Sequence, residues 1–139
     1  MTHVQAVDLI LMPCHMSGHW ILLVCRLKKH CWEFYDSLRS SRHRATLENL
    51  IRCLYEDASD ALEEGIVNWP INDVEDLPQQ DNGDDCGVFV MKFMEAVLST
   101  KTVAWKENVN WCKEMPRFRA EITANIFRAF SNLIASTML

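Results

Sequence analysis

Long apolar runs are missing from this chain. No stretch approaches the roughly 20 residues a membrane-spanning helix needs, so no membrane role is expected. The opening Met1-Thr2-His3-Val4-Gln5 lacks the basic and apolar regions of a secretory signal, which makes a reducing setting, nuclear or cytosolic, the expectation. None of the six cysteines (Cys14, Cys25, Cys31, Cys53, Cys86, Cys112) forms a Cys-x-x-Cys pair, so a disulfide framework is not expected and most are read as core filler. Zinc held by Cys14, His15, His19 and Cys25 is disfavoured because no pair has finger-type spacing, and neither metal nor another cofactor is expected. Positive charge is also in short supply: 14 Lys and Arg against 19 Asp and Glu give a net charge of -5, which argues against nucleic acid as the main partner. One local basic cluster, Arg39, Arg42, His43 and Arg44, is read as a solvated loop and first helical turn rather than a docking patch. Repeats, low-complexity tracts and interdomain linkers are absent too.

What the chain does have is hydrophobic mass. With 139 residues, 49% of them hydrophobic, residues 1–139 are expected to form one domain with a real core. Val7 to Met12 reads as a short buried strand closed by Pro13, and Trp20 to Cys25 as a central strand, with His19 at its start. Lys28-Lys29-His30 turns the chain into a third strand, Cys31 to Tyr35, which Asp36 ends. The spacing of Leu47, Leu50, Ile51, Leu54 and Tyr55 predicts a helix over 45–55. Ile66 to Ile71, interrupted by Pro70, reads as a short edge strand, and 73–85 as a polar, turn-rich segment. An apolar helix then opens at Cys86 and runs to Leu98, with Asp84 or Asp85 as N-cap. A last helix is predicted from near Pro116, its ladder of Phe118, Ile122, Ile126, Phe130, Leu133 and Ile134 read as core.

The run from Gln80 to Gly87 delivers one cysteine to the start of that apolar helix, where backbone N–H groups are unpaired and the helix dipole favours negative charge. A thiol there makes Cys86 the candidate nucleophile. A nucleophilic thiol needs a base and a group to orient that base. His19 and Asp36, at facing ends of a probable hairpin, are the candidates, with an Asp36 oxygen accepting the His19 Nδ1–H and Nε2 left facing the sulfur. Gln80 projects an amide that can donate to an oxyanion beside the Cys86 N–H. Gly87 suits the close approach of a substrate backbone. Asp85 opposes thiolate formation unless helix N–H groups neutralise its carboxylate.

The ordered set His19-Trp20, Tyr35-Asp36-Ser37, Pro78-Gln79-Gln80 and Asp85-Cys86-Gly87-Val88-Phe89-Val90 closely resembles the catalytic domain of the SUMO-specific (ubiquitin-like-protein-specific) cysteine proteases; Met115-Pro116-Arg117-Phe118-Arg119 resembles the start of that family's closing helix. The resemblance implies an α+β, papain-like cysteine protease fold: a small mixed or antiparallel sheet packed with helices, and the nucleophile at a helix N-terminus. It implies cleavage after the Gly-Gly C-terminus of SUMO-like proteins, both in precursor maturation and in deconjugation. The implied roles are Cys86 as nucleophile, His19 as base and then acid, Asp36 as orienter and Gln80 as oxyanion donor. Trp20 is implied to roof a tunnel that admits only glycine, with Gly87 beside it. Family catalytic domains are longer, with an N-terminal portion carrying helices and a second tryptophan. A truncated domain with exposed apolar surface is therefore expected, and the competing reading is a catalytically silent module that binds a ubiquitin-like protein.

Overall fold

The computed structural model describes residues 7–99, 105 and 110–137. Strand β1 (Leu9–Met16) and strand β2 (His19–Arg26) form an antiparallel hairpin in which Met16 faces His19. The two-residue turn between them has positive φ at both positions, Ser17 at 49° and Gly18 at 82°, the geometry that matches the twist of paired strands. Strand β3 (Cys31–Tyr35) pairs antiparallel with β2, and the short β4 (Ile71–Asp73) pairs parallel with β3, giving a mixed sheet of order β1-β2-β3-β4.

Strand β2 is buried on both faces. Ile21, Leu23 and Cys25 pack with Trp32, Phe34, Leu47, Ile51 and Ile66, and so against helix α1 (Ser41–Ala58). Leu22 and Val24 point the other way, into a cluster with Tyr35 of β3 and with Phe89, Val90, Phe93 and Phe118 contributed by helix α2 (Cys86–Leu98) and helix α3 (Trp111–Thr137). The continuous apolar run of β2 is thus the signature of a strand with helices on both sides. This is the expected α+β architecture.

Several boundaries differ from the sequence reading. Strand β1 does not close at Pro13 but continues through it to Met16, pairing Pro13 with Leu22; an edge strand has one unpaired side, where a residue without an N–H does no harm. Val7 lies outside it and is exposed. Residues 64–68 form a 3-10 turn instead of a strand, and the Trp32 indole donates to the Ile66 carbonyl at 2.9 Å, satisfying a buried polar pair at that turn. Pairing starts only after Pro70, whose carbonyl accepts the Trp32 N–H. Helix α1 begins four residues before 45, because the Ser40 side chain accepts the Arg42 N–H and caps it. Helix α3 begins before Pro116, with Asn110 accepting the Cys112 N–H through its side chain and the Lys113 N–H through its carbonyl.

The α3 ladder is core only at its start. Phe118 is buried and Ile122 packs partly against the core, but Ile126, Phe127, Phe130, Leu133 and Ile134 are exposed, Phe127 by 72%. The helix runs past the end of the packed sheet, so its apolar stripe finds no described partner.

Asp85 joins α2 to α3. Its side chain caps no helix N–H; it accepts instead from Asn82 Nδ2 at 2.7 Å and pairs with Arg119. The Asn82 hydrogen bond, with Arg119 adding to it against the cost of burial, holds the Asp85 carboxyl below its usual value of 3.8. A carboxyl depressed by folding stabilises the native state above its unfolded value and loses that contribution as pH falls through the folded value. Asp85→Asn is therefore expected to lower stability by about 1 kcal/mol at neutral pH, the difference closing below pH 3.8 in denaturant titrations. Phe93, fully buried among Tyr35, Phe89 and Trp111, is expected to cost about 3–5 kcal/mol when changed to Ala, read as a lower urea midpoint.

Candidate active site

Three segments far apart in the chain deliver the candidate residues: the start of β2, the end of β3 with the residues after it, and the 79–87 approach to α2. At the first junction His19 Nε2 donates to Asp36 Oδ1 at 2.7 Å, with both side chains buried. The pairing of His19 with Asp36 is as expected, but the ring nitrogen is not: Asp36 holds Nε2, leaving Nδ1 as the open position. Asp36 follows Tyr35, the last residue of β3 paired with β2, so it lies at the end of the ladder where β2 begins with His19.

Asp36 itself is 3% exposed and satisfied on both oxygens. Oδ1 also accepts the Leu38 N–H at 2.9 Å, and Oδ2 accepts His43 Nδ1–H at 2.6 Å. Gln79 holds the same turn from the other side, its amide donating to the Asp36 carbonyl at 3.0 Å. His43 is therefore not a solvated member of the basic cluster, as the sequence leads one to expect, but a partner of Asp36. It sits in the first turn of the Ser40-capped helix, half-buried, with its ring stacked on that of His19 at 4.9 Å between centroids and 17° between planes. Nothing in the local sequence separates it from its arginine neighbours; only the way α1 packs against the end of β3 does.

His19, Asp36 and His43 are the one group of His, Cys, Asp or Glu side chains among the described residues whose donor atoms lie close enough to surround a cation. Their closeness is accounted for by the hydrogen bonds among them. Of the disfavoured zinc set, Cys14 donates its thiol to the Met12 carbonyl and Cys25 is buried in the apolar cluster beside α1.

Gln80 is buried and anchored. Its backbone N–H donates to the Ser37 carbonyl at 2.8 Å, and its Oε1 accepts the Ser37 hydroxyl at 2.6 Å. Because Oε1 is occupied, the amide nitrogen is turned toward the α2 approach, where one hydrogen goes to the Asn82 carbonyl at 2.5 Å. An amide carries two N–H donors, so one is left for a ligand. Ser37 thus sets the orientation of this donor, a role the sequence reading missed. Asn82 organises the turn that follows, its Oδ1 accepting the N–H groups of Asp84 and Asp85.

Cys86 is the first residue of α2 and is 5% exposed. The first helical bond of α2 runs from the Phe89 N–H to the Asp85 carbonyl, which leaves the N–H groups ahead of it directed out of the helix end. The Asp85 carboxylate beside the thiol is compensated by Arg119 and Asn82 rather than by helix N–H groups. Trp20 is not core: it is 40% exposed, its ring meets that of His15 at a 49° tilt with 4.9 Å between centroids, and its Cδ1 lies 3.8 Å from where a Cβ on Gly87 would project. That contact brings the neighbour of His19 against the neighbour of Cys86, and sets an indole at the Cys86 end of α2. A cavity of about 430 Å³ lies on the other side of Asp36, bounded by Arg39, Arg44, Asp73 and Leu77. It is behind the carboxylate rather than at the thiol.

Residues 1–133 match the Ulp1 protease family, C-terminal catalytic domain. Ubiquitin-like-specific protease 1A of Arabidopsis thaliana is 30% identical over 128 residues, covering 91% of this chain and 24% of that protein. Human sentrin-specific protease 2 is 28% identical over 123 residues, covering 86% of this chain and 20% of its own length. Among solved structures, SUMO protease Ulp1 with its catalytic cysteine oxidised to a sulfonic acid is similar with a TM-score of 0.52 and 26% identity, over 76% of this chain and 50% of that one. This chain thus spans about a quarter or less of these curated relatives and half of the solved domain. By sequence and by fold, the chain belongs to the Ulp1 family of cysteine proteases, within its C-terminal catalytic domain.

Proposed function

We propose that this chain is a cysteine peptidase and isopeptidase that cleaves after the Gly-Gly C-terminus of a SUMO-like protein, both from its precursor and from its conjugates. The observation that carries the reading is the buried hydrogen bond from His19 Nε2 to Asp36. It holds one imidazole in a single tautomer, with the Nδ1 lone pair free to accept a proton, at the end of the strand next to the nucleophile's helix.

In the proposed reaction His19 Nδ1 takes the Cys86 thiol proton, and the thiolate attacks the carbonyl of the terminal glycine. The developing oxyanion is received by the Cys86 N–H at the α2 end and by the Gln80 amide hydrogen not given to Asn82. His19 returns its proton to the leaving amine, a thioester on Cys86 remains, and water activated by His19 releases the free C-terminus. Asp36 stabilises the imidazolium throughout. Trp20 beside Gly87 supports selection for glycine by steric exclusion, since an indole over the chain leaves no room for a Cβ. The names of the relatives, ubiquitin-like-specific and sentrin-specific proteases, support the substrate class. In this reading the protein works in the reducing nucleus or cytosol, consistent with six free cysteines.

The competing reading, a silent module that only binds a ubiquitin-like protein, is favoured by one observation: the exposed stripe from Ile126 to Ile134 marks a face that nothing described covers. A SUMO-like protein bearing a C-terminal thiol-reactive warhead separates the two. Wild type is expected to form a covalent adduct and Cys86→Ser none; reversible binding by a folded wild-type chain without an adduct would select the silent module. Gln80→Ala is expected to lower kcat by about 10²–10³ with little change in KM, the loss typical of one oxyanion donor. Equal turnover in that variant would remove Gln80 from the site.

A further inference from the structure

Of the side chains on α1, His43 reaches both Asp36 and His19 without having a part in the reaction as written. It lies in the first turn of α1, where its backbone N–H donates to the Ser40 carbonyl at 3.1 Å. Its Nδ1–H reaches Asp36 Oδ2 at 2.6 Å, and its ring lies nearly parallel to that of His19. Asp36 therefore sits between two imidazoles, one per oxygen, with the Leu38 N–H as a third donor on Oδ1.

The terminal torsion of an aspartate is broad and costs little to turn. Donors on Oδ1 alone leave the carboxylate free to rock about that oxygen, and every degree of rocking swings the direction in which His19 is held. A short bond at Oδ2 removes the freedom by fixing the second oxygen. The stacked ring acts on His19 directly, covering one face of the imidazole and restricting its rotation out of the line toward the thiol. Both effects come from a residue on α1, an element that supplies no other group to the reaction. They tie the geometry of the base to the docking of that helix.

We propose that His43 is a positioning residue of the peptidase reaction, fixing the Asp36 carboxylate through Oδ2 and the His19 ring by stacking, so that the base is held ready for the Cys86 proton. The proposal rests on the reading of His19 as that base. A purely structural His43, one that only pins α1 to the end of β3, predicts lost stability with unchanged chemistry in the folded fraction.

Three variants separate these outcomes. His43→Ala removes bond and ring, His43→Phe keeps a ring but donates nothing, and His43→Asn keeps an amide N–H for Oδ2. Each is assayed, after confirmation of folding by circular dichroism, for kcat and KM on a SUMO-like protein with a fluorogenic C-terminal amide. Alkylation of Cys86 by iodoacetamide is followed site by site by mass spectrometry, and the His19 imidazole N–H by ¹⁵N NMR. His43→Ala is expected to lose about tenfold in kcat and in Cys86 alkylation with KM changed less than about twofold, the size of effect typical when a partner that orients a reacting group is removed, and His43→Phe somewhat less because its ring still covers His19. His43→Asn is expected to recover most of the part due to the Oδ2 bond but not the part due to stacking, and the His19 Nε2–H to exchange with water faster in Ala and Phe than in wild type or Asn. Folded Ala and Phe variants with wild-type rates and wild-type exchange of the His19 Nε2–H would overturn the proposal, as would an Asn variant as impaired as Ala. If wild-type Cys86 alkylates no faster than the exposed Cys53, the peptidase reading itself fails. The NMR comparison then still decides whether His43 holds His19, and an Nε2–H that exchanges no faster in Ala than in wild type overturns the proposal.

Discussion

The structure is organised by the burial of β2 on both faces. A strand whose alternate residues Ile21, Leu23 and Cys25 face one way and Leu22 and Val24 the other, all of them fully buried, requires a helical layer on each side. α1 supplies one, and α2 with α3 the other. This constraint also makes the site. The residue that begins such a strand lies at the rim of both layers, so His19 can meet a carboxylate and a second imidazole from the α1 side while its neighbour Trp20 meets Gly87 on α2.

The polar groups at that rim are satisfied almost entirely by one another. Asp36 serves two histidines and a backbone N–H; Ser37 and Asn82 take the two ends of the Gln80 amide; Asn82 and Arg119 take Asp85. Buried polar networks of this kind are costly when incomplete and rigid when complete, because an unmatched group away from water loses its full hydration. No buried side-chain polar atom among the described residues lacks a partner. The consequence is an imidazole and an amide donor held in fixed orientations; under the proposed function this is the condition in which hydrogen bonds stabilise a transition state without first reorganising.

The same packing explains where the fold stops. α3 is anchored by Met115 and Phe118 and then leaves the sheet, carrying apolar residues into solvent. Packing of helices on a sheet extends only as far as the sheet does, and beyond Ile122 the apolar residues of α3 are exposed. Helical periodicity is identical in buried and unpartnered turns, which is why the ladder from Phe118 to Ile134 read as one core stripe in the sequence.

Local patterning carried much of the fold. The apolar run of β2, the strand from Cys31 to Tyr35 and the helix from Cys86 to Leu98 were legible because burial on two faces, alternation and helical spacing leave a direct imprint on residue order. The ordered motifs around His19, Asp36, Gln80 and Cys86 likewise pointed to one family. Boundaries set by single polar atoms were less legible: the Ser40 cap that starts α1 early, the edge position that lets β1 pass through Pro13, the Asn110 cap ahead of Pro116. Contacts between distant segments were not legible at all. Which imidazole nitrogen meets Asp36, that Ser37 turns the Gln80 amide, that Arg119 rather than the α2 end engages Asp85, and that His43 stacks on His19 were decided only by the tertiary structure, because each depends on the register and docking of elements that share no local signal in the chain.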